Sequence, residues 1–244
     1  MRKAGMVVGQ VLERLAQMCQ PGVSTRELDA EAGRMTRQAG AEPLFLGVPG
    51  RGGPFPGVIC ASVNEQVVHG IPNDRPVRSG DIVSIDYGCR LNGWCGDAAR
   101  TFIVGEVPPK VDRLVNVTRR VLELAIDLVR PGVLWSTVAT AMQRMAEVEG
   151  FSVVREFVGH GIGREMWEAP KLPNFVSMEL LSRDILLHEG MVLAIEPMVN
   201  LGSADVVVCG DGWTVVTKDG KPSAHFEHTV AVTAGGARVL TAAG

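Results

Sequence analysis

The stretch Gln20-Pro21-Gly22-Val23-Ser24-Thr25 returns in looser form as Arg130-Pro131-Gly132-Val133-Leu134-Trp135-Ser136-Thr137, its Pro-Gly pair displaced by 110 residues. Each pair closes one helical pattern and precedes another. Arg2 to Met18 carries Val7, Val11, Leu12 and Leu15 at helical spacing before the first break. Ser24 or Thr25 then N-caps a second helix, with Glu27 in its first turn, that runs to about Gln38. Before the second break, Pro108 to Arg130 opens on prolines and continues with Val111, Leu114, Val115, Val121, Leu122 and Leu124. Ser136 or Thr137 starts a fourth helix that ends near Glu149. Helix, break, capped helix and strands thus occur twice, the mark of an internal duplication.

The strands are read from shorter runs. Leu44 to Gly57 is dense in Pro and Gly and forms a loop. Val58 to Val63 reads as a buried strand. Asp81 to Tyr87 and Thr101 to Val104 flank the turn residues Leu91-Asn92-Gly93, so Asp81 to Val104 is expected to be a long β-hairpin. Phe151 to Phe157, Met191 to Pro197, Trp213 to Thr217 and Phe226 to Thr233 are strand-like as well. The expected architecture is α/β (α+β): one domain over residues 1–244, with pseudo-symmetric halves at about 1–107 and 108–244 and a curved antiparallel sheet covered by helices. A site between such halves would draw groups from both.

The 46% hydrophobic content supplies a sizeable core, and the 21% charged content argues against wholesale disorder. A net charge of -3 argues against nucleic acid as substrate and against an acidic membrane surface, while leaving room for transient ribosome contact through a local basic patch. No apolar run reaches a membrane span, and Met1 to Gln20 is amphipathic rather than signal-like. The cysteines Cys19, Cys60, Cys89, Cys95 and Cys209 are odd in number and lack a CxxC pair, which fits a reduced, cytoplasmic setting and argues against a thiolate zinc site.

Five residues stand out chemically. Asp86 and Asp97 can come opposite each other across the expected hairpin, where two carboxylates need protons or cations; separately, one caps a turn and the other is solvated. His160 sits in Gly159-His160-Gly161-Ile162-Gly163, where glycines allow close backbone approach. That run lacks the Lys-Ser/Thr of a phosphate loop, and a lone His is commonly structural. Glu196 ends the apolar run Val192 to Ile195, and Glu227 precedes His228 to Val232; each is buried at a cost unless paired or metal-bound, or else faces solvent. Together they offer four carboxylates and one imidazole. That set suits Mn, Fe, Co or Zn, and its negative charge calls for two cations rather than one.

With these motifs in order, the chain resembles the type I methionine aminopeptidases, of the pita-bread metallohydrolase fold. The resemblance runs through Ser62-Val63-Asn64-Glu65, Val68-His69-Gly70-Ile71-Pro72, Asp81 to Asp86, Gly96-Asp97, Gly159 to Arg164, Ile195-Glu196-Pro197-Met198 and Phe226-Glu227-His228-Thr229. It implies a cytoplasmic, monomeric aminopeptidase that removes methionine from the N-terminus of peptides or nascent chains. Asp86, Asp97, His160, Glu196 and Glu227 would hold two divalent metals, with Asp97 and Glu227 bridging. Glu196 would also shuttle protons, His69 would contact substrate, and Phe55, Cys60 and Trp213 would enclose the methionine side chain.

The sequence departs from that family on the substrate side. Where the family has an aromatic residue and a catalytic His, this chain has Met166 and Trp167. Gly52 falls where another aromatic is usual, and Cys95 where many relatives have His. An indole donates a hydrogen bond but neither accepts nor shuttles a proton. Metal binding with weakened or redirected aminopeptidase activity is therefore expected. A metal-free binding module is disfavoured, because binding alone gives no reason to cluster acids.

Overall fold

The computed structural model describes residues 1–242, so the last two residues of the expected 1–244 span lie outside it. The chain opens with α1 (Arg2–Met18), α2 (Thr25–Gln38), β1 (Glu42–Pro43), β2 (Cys60–Val63), β3 (Gln66–Val68), β4 (Ile82–Leu91) and β5 (Trp94–Ile103). It continues through α3 (Pro109–Leu128), α4 (Trp135–Val148), β6 (Ser152–Val153), β7 (Gly159–Gly161), β8 (Glu168–Leu172), α5 (Met178–Ser182) and β9 (Val192–Ile195). It ends with β10 (Met198–Asn200), β11 (Val206–Val208), β12 (Val215–Thr217), β13 (Ser223–His225), β14 (His228–Thr233) and β15 (Gly236–Val239).

The two Pro-Gly breaks close alike. Gly22 and Gly132 both take positive φ, +99° and +86°, where a side chain would be strained. Gly22 N–H donates to Val77 O and Gly132 N–H to Leu187 O, both at 2.8 Å. The helices that follow are capped differently. Ser24 makes a full capping box: its hydroxyl accepts from Glu27 N–H, and Glu27 Oε2 accepts from Ser24 N–H at 2.7 Å. Neither Ser136 nor Thr137 caps α4, whose N-cap is Leu134 with no side-chain bond. The orphan Ser136 N–H donates instead to Asp184 Oδ1 at 3.0 Å. A carboxylate 48 residues away thus does what a local hydroxyl does in the first half.

Two apolar cores lie under the helix pairs. α1 contributes Val8, Val11, Leu12 and Leu15, which meet Leu28, Ile85 and Tyr87; Val7 only flanks this core. α3 and α4 contribute Leu114, Val121, Trp135 and Met142, which meet Leu193, Ile195 and Val230. Among the described residues, the strands form four hydrogen-bonded sheets, and every named strand pair is antiparallel. The β4–β5 hairpin runs unbroken from Ile82–Ile103 to Leu91–Trp94, longer than the apolar alternation alone predicts. β2 starts at Cys60, two residues later than expected, and only Ser152–Val153 of the run Phe151 to Phe157 is strand.

A seam joins the two helix-covered layers. Glu227 N–H donates to Ala99 O at 2.8 Å, and Ala99 N–H donates to Glu227 O at 3.3 Å. Threonine hydroxyls extend the seam on either side. Thr229 Oγ1 donates to Asp97 O and accepts from Asp97 N–H, while Thr101 Oγ1 donates to His225 O and accepts from His225 N–H. Among the described residues, no helix is long and apolar enough to cross a membrane.

Candidate metal centre

The five chemically conspicuous residues reach one cavity from five places in the fold. Asp86 comes from the middle of β4 and Asp97 from β5. His160 is central in β7, Glu196 follows β9 directly, and Glu227 links β13 to β14 at the seam. All five line a cavity that Phe55, Cys60, His69, Met166, Trp167 and Trp213 line as well. Asp86 and Asp97 share a face of the hairpin but are not opposite each other. Asp86 pairs with Ala99 and Asp97 with Gly88, so the two carboxylates sit diagonally, one pleat apart. Gly88 matters there, because a Cβ on it would lie 3.0 Å from Asp97 Oδ1.

Asp97, His160 and Glu227 form the tightest group, with one ligand atom from each lying within 4.8 Å of the others. Asp97 and Glu227 are both 2% exposed. Asp86 Oδ1, Asp97 Oδ1 and Glu227 Oε1 are buried with no hydrogen-bond partner. Such atoms are costly unless something positive meets them. Burial lifts the Asp97 carboxyl to about 7. It pushes Asp86 well above the usual carboxylate range, with the charges of Asp97 and Glu196 adding to the effect. Glu196 and Glu227 are raised well above that range by burial and then by Asp97.

His160 has the tautomer of a cation ligand. Its Nδ1 lies 2.9 Å from Gly161 O, and a carbonyl only accepts, so Nδ1 carries the proton. Nε2 is left with its lone pair, 3.6 Å from Glu196 Oε1. Burial also holds His160 below the ordinary imidazole range, keeping that lone pair free. A neutral imidazole surrounded by partnerless carboxylate oxygens fits a hard or borderline divalent cation.

The rest of the cavity is apolar. Phe55, Cys60 and Met166 are buried together with Phe45, and Trp213 packs beside them. Phe55 meets Trp213 edge-on at 5.1 Å, and the Trp213 indole N–H donates to Gly53 O at 3.0 Å. Gly50 makes room for that indole, whose ring a Cβ there would overlap, and Gly52 makes room for the Asp211 carbonyl oxygen. His69 holds a positive φ of 58°, unusual for a residue with a side chain, and its ring stands edge-on to Phe157 and Trp213. Burial lowers its pKa to about 4. Trp167 is 58% exposed and lines both this cavity and an outer groove bordered by Phe157, Glu168 and Lys171. Cys95 does not line the cavity; it is buried, with Sγ 3.3 Å from Arg164 O.

Sequence reading missed three residues. Phe45 and Val48 line the cavity from the Pro/Gly-rich loop. His225, at the end of β13, is 2% exposed, and its Nε2 lies 3.9 Å from Glu196 Oε2. Its position two residues before Glu227 was the available signal.

Comparison with known proteins places this geometry in context. A sequence profile of Metallopeptidase family M24 matches residues 1–234. The chain is 47% identical over 241 residues to Methionine aminopeptidase 1 of Bacillus subtilis, an alignment covering 99% of this chain and 94% of that protein. It is similar to a crystal structure of methionine aminopeptidase from Thermotoga maritima, with a TM-score of 0.93 at 42% identity, covering 99% of this chain and 95% of the other. Prolidase from Pyrococcus furiosus shares the fold at a TM-score of 0.76 and 22% identity, with 62% of its length covered.

Proposed function

The chain belongs to metallopeptidase family M24, and from that premise we propose that it removes the N-terminal methionine of peptides or nascent proteins in a reaction that needs divalent cations. One observation carries this reading: partnerless carboxylate oxygens of Asp86, Asp97 and Glu227 surround the floor of a sulfur- and aromatic-lined cavity. Asp86, Asp97, His160, Glu196 and Glu227 are the proposed ligands. Four carboxylates carry up to four negative charges, which two divalent cations would balance; Mn, Fe, Co and Zn all suit oxygen donors with a single imidazole. Divalent cations held by these residues would supply Lewis acidity, acidifying water and polarising the scissile carbonyl.

The remaining chemistry falls to side chains. Glu196 reaches the cavity floor with only 14% of its side chain exposed, a position suited to taking a proton from the attacking water and passing it to the leaving amine. His69, neutral because its pKa is near 4, offers an N–H to the peptide's polar atoms at the mouth. Phe55, Cys60, Met166 and Trp213 give the thioether soft and aromatic contacts. The test is release of free methionine from a methionyl peptide with Co, Mn or Fe supplied, using Glu196→Gln as the inactive control. Failure with every metal, or full activity in the control, refutes the proposal.

A second reading rests on Trp167. An exposed indole at the mouth lacks the proton-accepting nitrogen of the imidazole usual there, which favours a weakened or different substrate preference in a hydrolase of the same fold. A panel of methionyl and non-methionyl dipeptide amides separates the two readings.

A further inference from the structure

His225 is a buried side chain beside the site to which the proposed chemistry gives no task. Its ring is 2% exposed, and Nε2 has no hydrogen-bond partner. An imidazole nitrogen left this way is costly, so a partner is expected close by. The nearest is Glu196. One Glu196 oxygen lies 3.6 Å from His160 Nε2 and the other 3.9 Å from His225 Nε2, so two imidazoles flank the carboxylate.

The backbone holds His225 in this position firmly. Strand register sets it opposite Met198, two residues past Glu196. Its N–H and C=O are both tied to Thr101 Oγ1 at 2.9 Å, across the seam. Glu196 is anchored from its own side, where Asn174 Nδ2 donates to the Glu196 carbonyl at 3.1 Å. A displacement of about 1 Å would bring Nε2 and Oε2 into hydrogen-bond range.

We infer that His225 is a positioning residue: its Nε2–H closes on Glu196 Oε2 and fixes the plane of that carboxylate, while His160 faces the other oxygen. The ring is not part of the cavity lining, so its role would be exerted through Glu196. The inference rests on the proposed role of Glu196 at a cation-dependent centre.

The test compares wild type with His225→Leu and His225→Gln, after circular dichroism and thermal melting have confirmed folding. Leucine fills the space and donates nothing, whereas the glutamine amide can donate. Two quantities are read: affinity for Co(II) alone by calorimetry, together with its visible absorption spectrum, and kcat and KM on a methionyl peptide. A supporting partner of a metal-site ligand is worth roughly 10–100-fold in affinity or activity. His225→Leu should therefore lose about that much in kcat or Co(II) affinity with KM nearly unchanged, and its Co(II) spectrum should shift. His225→Gln should recover most of the loss. The inference is overturned if leucine leaves Co(II) affinity, spectrum and kcat at wild-type values, or if glutamine is as impaired as leucine. Should wild type bind Co(II) yet release no methionine, the aminopeptidase reading fails, while the leucine–glutamine contrast in Co(II) affinity still decides the role of His225.

Discussion

Replacing Asp97 with asparagine should make the metal-free protein more stable at neutral pH while removing its ability to hold a cation. Burial lifts the Asp97 carboxyl from 3.8 to about 7, so between those values the folded chain keeps a proton that the unfolded chain has released. Stability therefore falls as pH rises from about 4 to about 7, and the loss is complete above that. About three pH units at roughly 1.4 kcal/mol each give about 4 kcal/mol. This is an upper figure, because Asp86, Glu196 and Glu227 share the same repulsion. Asparagine carries no charge to bury, so its advantage over wild type should be absent near pH 4, grow with pH and level off above 7. For a chain of this size that corresponds to roughly 10 °C in melting temperature. His69, His160, His225 and His228 are all held below the ordinary imidazole range, so they lower stability as pH falls through about 6.5. They do so equally in both proteins and cancel in the comparison. The assay is thermal and urea denaturation in chelator at pH 4, 5.5 and 7.5. A variant less stable than wild type at pH 7.5, or an advantage that shrinks with pH, would refute the electrostatic argument.

Other outcomes follow from the same geometry. Saturating Mn(II) should raise the melting temperature of wild type but not of Asp97→Asn; at a hundred times the dissociation constant the gain is about 2.7 kcal/mol, read by calorimetric melting. Trp167→His should raise kcat on methionyl peptides by roughly 100-fold, the scale of one acid–base group, and unchanged turnover would remove the indole as the cause of weakness. Ser24→Ala should cost about 1 kcal/mol through its lost capping box, whereas Ser136→Ala should cost less, since alanine keeps the backbone N–H that Asp184 accepts and the helix has no side-chain cap to lose; urea midpoints separate them. Trp135→Ala, emptying a fully buried indole site and losing its bond to Pro173 O, should cost about 3–5 kcal/mol by the same measurement.

What the sequence revealed depended on how local each determinant was. The helix pairs were legible because their stops and spacing lie within a few residues of each other, and Ser24 with Glu27 advertises its own cap. The cap of α4 was not legible, since its acceptor, Asp184, reaches Ser136 only through the tertiary fold. The diagonal offset of Asp86 and Asp97 depends on hairpin register, which the Asn92-Gly93 turn fixes to the residue but apolar alternation does not. β7 and β8 are too short, and too rich in Gly and Pro, for any periodicity to show. His225 falls just ahead of the strand-like run Phe226 to Thr233, and only the folded chain brings it beside Glu196. One signal was present and went unread: Asp86 and Glu196 are separated by the same 110 residues as the two Pro-Gly breaks, so each acid occupies the corresponding place in its half.

The seam at Ala99 and Glu227 bears on how the molecule could be taken apart. Asp86 and Asp97 precede the exposed Gly105-Glu106 link, whereas His160, Glu196 and Glu227 follow it. Severed at that link, the polypeptide would yield one fragment with two acids and another with the imidazole and the remaining acids, neither able to assemble the centre alone. Recovered turnover on mixing the fragments would then report their docking, which makes the protein a natural substrate for split-enzyme complementation.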